Sequence, residues 1–97
     1  MEQFKAKLLQ CVKLCEQEIS LRKSGIDGEA TTSQLETIVL PELKNILLKI
    51  ETNSIPLQKD RYLCSFAYAF KVWGWDMQNP SRLFIVLTEL NNEYKEL

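Results

Sequence analysis

Histidine is absent from the 97 residues. That removes the commonest general base, the commonest metal ligand and every Ser/His or Cys/His nucleophile pair. Glycine and proline are scarce, at three each, which excludes a collagen-like fibre and a Pro/Gly-rich linker. No unbroken apolar run exceeds five residues, as in Leu83 to Leu87, far short of the ~20 that a bilayer requires. No glycine-rich phosphate loop and no Gly-x-Ser-x-Gly elbow occurs. An excess of one charge is missing as well. Twelve Lys and Arg stand against thirteen Asp and Glu, for a net charge of −1 and a sequence pI of about 5.5. Without a basic run there is no stripe to track phosphates. The expectation is therefore not an enzyme, not a direct nucleic-acid binder and not a membrane protein.

What is present is ordinary for a globular chain: 45% hydrophobic and 26% charged residues. The length suits one helical domain over residues 1–97. The first ten residues, from Met1 to Gln10, hold no apolar core and no small-residue cleavage site, so no secretory signal is expected. The three cysteines, Cys11, Cys15 and Cys64, are an odd number. That points to reduced thiols without a disulfide, and to a cytoplasmic location. Cys11 and Cys15 share a helical face, but a zinc site needs about four ligands and only Cys64 is left to join them. They read as small core hydrophobes, and no metal or cofactor is expected.

Helical periodicity runs through the chain. Apolar residues at 4, 8, 11, 12, 15 and 19 make an amphipathic stripe. It predicts a helix from Glu2 to Lys23, stopped by Gly25 and Gly28. Ser33-x-x-Glu36 is a capping box ahead of Leu35, Ile38, Val39, Leu43, Ile46, Leu47 and Ile50. It predicts a second helix over residues 33–51, kinked or split at Pro41, the kink favoured because the apolar phase carries across the proline. A third helix is expected from about Gln58 to Val72, burying Leu63, Phe66, Ala67 and Phe70. A fourth should start at Asn79-Pro80 and run to about Lys95 on Leu83, Leu87, Leu90 and Tyr94, widened by Phe84 and Val86. The fold class is all-α, a compact four-helix bundle.

Two constellations stand out as candidate partner-binding residues. The near-neutral total hides an acidic segment: residues 25–53 hold two cations and five acids, a local −3. Asp27, Glu29, Glu36 and Glu42 read either as a solvated face or as an electrostatic dock for a basic partner. The segment from Tyr62 to Trp75 is the richest in aromatics. Tyr62, Tyr68, Trp73 and Trp75, with Asp76 behind them, cannot all lie on the buried stripe. One Trp is expected to plug the end of the bundle, and Trp and Tyr are enriched at interfaces.

The stretch Tyr68-Ala69-Phe70-Lys71-Val72-Trp73-Gly74-Trp75-Asp76, ahead of the Asn79-Pro80 helix start, resembles small helical immunity proteins of bacterial toxin–immunity systems, as do the size and layout of the whole chain. The resemblance implies a cytoplasmic, cofactor-free protein that neutralises a toxin, in particular a nuclease with a basic cleft, by occluding its active site. The alternative is a structural or regulatory bundle that self-associates as a weak homodimer through apolar positions off the main stripes, Leu14, Leu48 and Ile85.

Overall fold

Four helices carry the fold in a computed structural model, which describes residues 2–97. The first, α1, spans Glu2–Lys23, with Glu2 in its first turn and Arg22 and Lys23 in its last, the placement that the helix dipole favours. It ends in a Schellman motif. Ile26 N–H donates to the Leu21 carbonyl at 3.0 Å and Gly25 N–H to the Arg22 carbonyl at 3.1 Å. Gly25 takes φ +88°, open to glycine at little cost. Gly28 is there for close approach: a Cβ on it would meet the Arg22 guanidinium at 1.9 Å. Arg22 is nearly buried; its Nε donates to the Ala30 carbonyl at 2.7 Å and its guanidinium meets Glu18 at 3.0 Å.

That clamp fixes the chain just ahead of Thr31, and it sets the start of the next helix. The cap is Thr31, not Ser33. The Thr31 hydroxyl accepts from Gln34 N–H, and the Gln34 side chain accepts from Thr31 N–H, both at 3.1 Å. Glu36, released from the expected box, pairs with Lys23 at 3.6 Å. Helix α2 covers residues 32–51 without a break, as Thr32–Gln34, a π-helical turn Leu35–Val39, and Leu40–Glu51. The disruption that Pro41 imposes takes the form of this π turn, in which Leu40 N–H reaches back to the Leu35 carbonyl. A wider turn gives the pyrrolidine ring room beside the preceding carbonyls, where a regular α turn would clash. The helix therefore does not split, and Leu35, Val39, Leu43 and Ile46 all stay buried.

The helical segment expected over residues 58–72 is divided. A 3₁₀ turn, Gln58–Asp60, precedes an extended stretch through Arg61 and Leu63. The regular helix α3 is Cys64–Lys71. Helix α4, Arg82–Glu96, starts two residues beyond the expected cap: Ser81 Oγ accepts from Phe84 N–H at 3.2 Å. Asn79 is instead held in an Asx-type turn, its N–H donating to Asp76 Oδ1 at 3.1 Å.

Helix α1 lies centrally, against α2 on one side and α4 on the other, and α3 packs on α4. Phe4 and Tyr94 stack at 5.6 Å, so the two ends of the chain meet. Leu8, Leu35, Leu43, Leu63, Leu87 and Leu90 are fully buried, each contributing on the order of 1.5–3 kcal/mol of transfer free energy. The radius of gyration of 13.1 Å is that of a folded chain of about 100 residues. There is no strand among the described residues, and no helix is long and apolar enough to cross a membrane.

Candidate functional site

Helix α3 is placed by two polar anchors from its neighbours. Glu42, on α2, accepts at its carboxylate from Cys64 N–H at 2.7 Å, from Ser65 N–H at 2.8 Å and from Ser65 Oγ–H at 2.6 Å. A carboxylate from another helix thus serves as the N-terminal cap that Leu63 cannot provide. Just ahead, Leu63 N–H donates to Oδ1 of the buried Asn91 at 2.9 Å, tying the chain to α4. Held this closely, α3 fully buries two of its small residues, Ser65 and Ala69. The stripe is therefore rotated from the one the sequence predicts: Leu63 is buried, Phe66 and Ala67 are half-buried, and Phe70 is exposed.

The consequence is that Tyr68 and Phe70 of α3, with Tyr62 and Val72 just outside it, face outward. Tyr62 is 56% exposed, Tyr68 42%, Phe70 41% and Val72 68%. Tyr62, Cys64, Ala67, Tyr68, Lys71 and Val72 surround a shallow apolar hollow of about 210 Å³. Single exposed apolar residues need no explanation, but Tyr68 and Phe70 on this short helix and Tyr62 and Val72 beside it form a cluster.

From that surface an aromatic row runs inward. Tyr68 stacks on Trp73 at 5.5 Å, Trp73 lies 5.5 Å from Trp75, and Trp75 meets Phe84 edge-on at 5.5 Å. Trp75, at 3% exposure, is the plug of the bundle end and offers nothing to a partner. Trp73 is half-buried, and Tyr68 is the exposed end of the row. Gly74, at φ +67°, turns the chain between the two indoles. Trp75 N–H donates to the Ala69 carbonyl at 3.0 Å, while the buried Trp75 Nε1 has no hydrogen-bond partner.

The acidic candidates divide. Glu29 and Asp76 come together: Glu29 Oε2 accepts from Asp76 N–H at 2.9 Å. Asp27 and Glu18 line the same cleft, with Arg22. Glu36 is apart, on Lys23. Glu42 is not a free carboxylate for a partner, because three hydrogen bonds to α3 occupy it. Asp76 is also partly engaged, with Oδ1 accepting from Gln78 and Asn79 amides.

Chemistry at the thiols is suppressed. Cys11 and Cys15 are buried, and burial pushes both thiols up to about 12. Cys64 is exposed, yet its thiol is also raised, by partial burial first and by Glu42 second. Thiols held protonated in this way make poor nucleophiles and poor metal ligands. No group of three or more His, Cys, Asp or Glu able to hold a metal occurs among the described residues.

Tyr62 is exposed as one of the aromatics that do not fit the stripe, Phe70 is exposed where the stripe predicts burial, and Val72 and Met77 join the exposed apolar set with no sequence expectation attached to them. One signal was available for them. Ser65 and Ala69, small residues four apart, mark the side of a helix that can approach its neighbours most closely. Comparison with protein-family models, with curated proteins and with solved structures returns no match for the chain.

Proposed function

We propose that this chain is a non-enzymatic, cytoplasmic binding protein, an immunity or inhibitor protein that neutralises a bacterial toxin of nuclease type by occluding its active site. The observation that carries the reading is the outward-facing apolar surface at α3, built from Tyr68 on the helix and from Tyr62 and Val72 just outside its two ends. A short helix that fully buries only Ser65 and Ala69 and exposes Tyr68 and Phe70 leaves large side chains available for a second protein. Close along the chain lies the acidic pair Glu29 and Asp76, with Asp27 in the same cleft. In this reading the tyrosines supply contact area, and the carboxylates face the cationic residues that normally hold phosphate. The inhibition is steric and electrostatic, with no bond made or broken.

The test is co-expression with a toxic nuclease domain encoded beside it. The expected result is restored growth and a one-to-one complex. Tyr68→Ala combined with Val72→Asp should abolish both while lowering stability by no more than about 1.5 kcal/mol, the worth of the Tyr68–Trp73 stack. Neither rescue nor complex with the native chain would refute the reading. Self-association is the second reading, and it draws on the exposed Leu48 and Ile85. Leu14 packs against the core and leaves that argument. Sedimentation as a strict monomer at high concentration eliminates it.

A further inference from the structure

Two left-handed residues bracket the part of the chain that carries α3. Asn53, just past α2, takes φ +56°, and Gly74, beyond α3, takes φ +67°. Of the buried apolar residues, only Leu63 and Ala69 lie between them, with Ile55, Phe66 and Trp73 packed partly against the core. Apart from Ala30 and Trp75, every other buried apolar residue belongs to α1, α2 or α4. Those three helices therefore hold a core of their own, and little of it is contributed by the bracketed segment.

What ties the segment to this body is mainly polar. Glu42 caps Cys64 and Ser65, and Asn91 accepts from Leu63 N–H. Gln58 Nε2 donates to the Lys95 carbonyl at 3.0 Å, and the Arg61 guanidinium donates to the Leu97 carbonyl. No ion pair joins the segment to the body among the described residues. On release, each of these hydrogen bonds is exchanged for one to water, whereas buried apolar area has no such substitute. The docked arrangement also carries a defect. Trp75 Nε1 is buried without a partner. The segment covers Trp75 with the Trp73 ring, 5.5 Å away, and with Ala69, whose carbonyl accepts from the Trp75 amide. A buried donor with no bond to offset its lost hydration favours release of whatever covers it.

We infer that residues 54–73 form a strap that undocks from the α1–α2–α4 body as one cooperative unit, hinged at Asn53 and Gly74, while the body stays folded. Units with little buried apolar surface and solvent-accessible bonds open at free energies below the global one. Undocking carries Tyr62, Tyr68 and Val72 away from Asp27 and Glu29, which stay with the body. A partner that touches both the tyrosines and the carboxylates therefore selects the docked state. That gating rests on the inhibitor reading, whereas the undocking belongs to the free chain.

The experiment is native-state amide exchange of the full chain in urea concentrations below the unfolding transition. The strap probes are the amides of Leu63, Cys64, Ser65 and Trp75, whose acceptors lie across the strap–body boundary. The body probes are interior amides of α1 and α4 around Leu8 and Leu90. The strap amides should share one protection level, at least about tenfold below the body amides. Their urea slope should be smaller, because undocking exposes less surface than unfolding. Cys15→Ala trims the contact between α1 and α2, where Cys15 Sγ approaches the Leu35 carbonyl. It should lower body protection severalfold and leave the strap amides unchanged, because the docked and undocked states keep that contact alike. Strap amides on the body's own urea line, or an equal fall of both sets in Cys15→Ala, would mean that the segment leaves only on global unfolding and would overturn the inference. Strap amides with unrelated levels and slopes would overturn it too, as local fraying. Failure here with growth rescue intact leaves the inhibitor reading standing. Failure of rescue with a separate strap does the reverse.

Discussion

Replacing Glu42 by alanine tests how α3 is held. The carboxylate accepts from two backbone amides and one hydroxyl at 2.6–2.8 Å, and the hydroxyl belongs to Ser65, which is wholly buried. A helix cap is worth about 0.5–2 kcal/mol, and a hydrogen bond to a charged group about 1.5–3 kcal/mol. The three bonds share one partly exposed carboxylate, so their contributions do not add. The expected loss for Glu42→Ala is about 2–3 kcal/mol, a large share of the ~5–15 kcal/mol that holds a small domain together. Glu42→Gln retains one acceptor oxygen and should cost about 1 kcal/mol. Urea unfolding at constant m-value reads the total. Amide exchange at Cys64 and Ser65 reads the local effect, because those two N–H groups lose their acceptor. Glu36→Ala is the control: its pairing with Lys23 is solvent-exposed, so it should stay within about 0.5 kcal/mol. A Glu42→Ala loss no larger than that control, or exchange at Cys64 and Ser65 unchanged from the native chain, would refute the cap.

Leu87 is fully buried on α4, so Leu87→Ala should lower stability by roughly 2–5 kcal/mol in the same urea assay. Under native conditions a thiol reagent should modify one cysteine quickly, Cys64, and the buried Cys11 and Cys15 only at the rate of unfolding; rapid labelling of all three would contradict the packing. Stability should fall above pH 9. The Cys11 and Cys15 thiols rise from 9.0 to about 12 in the fold, so their contribution is intact below pH 9 and is lost as pH climbs towards 12, at up to about 1.4 kcal/mol per pH unit for each thiol. Replacing both by alanine should flatten that alkaline limb, leaving the share from Tyr94, Cys64 and the Glu93-bonded Lys7, whose ionisations are also raised.

The periodic parts of the fold were legible because one residue spacing decides them. The Phe4–Ile19 stripe gave α1 both of its ends, and Leu83, Leu87, Leu90 and Tyr94 gave α4 its buried face. Starts were less legible wherever two caps compete within a few residues. Thr31-x-x-Gln34 and Ser33-x-x-Glu36 satisfy the same pattern, and the Arg22 clamp on Ala30, a tertiary contact, selects between them. The α3 face was misread for a related reason. Propensity places Phe66 and Phe70 inside, but a carboxylate from α2 and a buried Asn91 from α4 rotate the helix onto Ser65 and Ala69. The same displacement explains the mixed outcome at the candidate site. Tyr68 emerges, Trp75 is buried, and Glu42 serves the structure in place of a partner.

The pairing of α1 with α4 has a consequence for synthesis. Phe4 must find Tyr94, and Lys7 must find Glu93, 86 residues away. While the chain emerges, one flank of α1 has only α2 to lie against, and the apolar side chains on the other flank wait for α4. At about 5–20 residues per second, roughly 4–15 s separate the completion of the first helix from that of its last neighbour. The bundle therefore closes only once α4 has been made, and during that interval the nascent chain is the form most exposed to holdase chaperones and to aggregation.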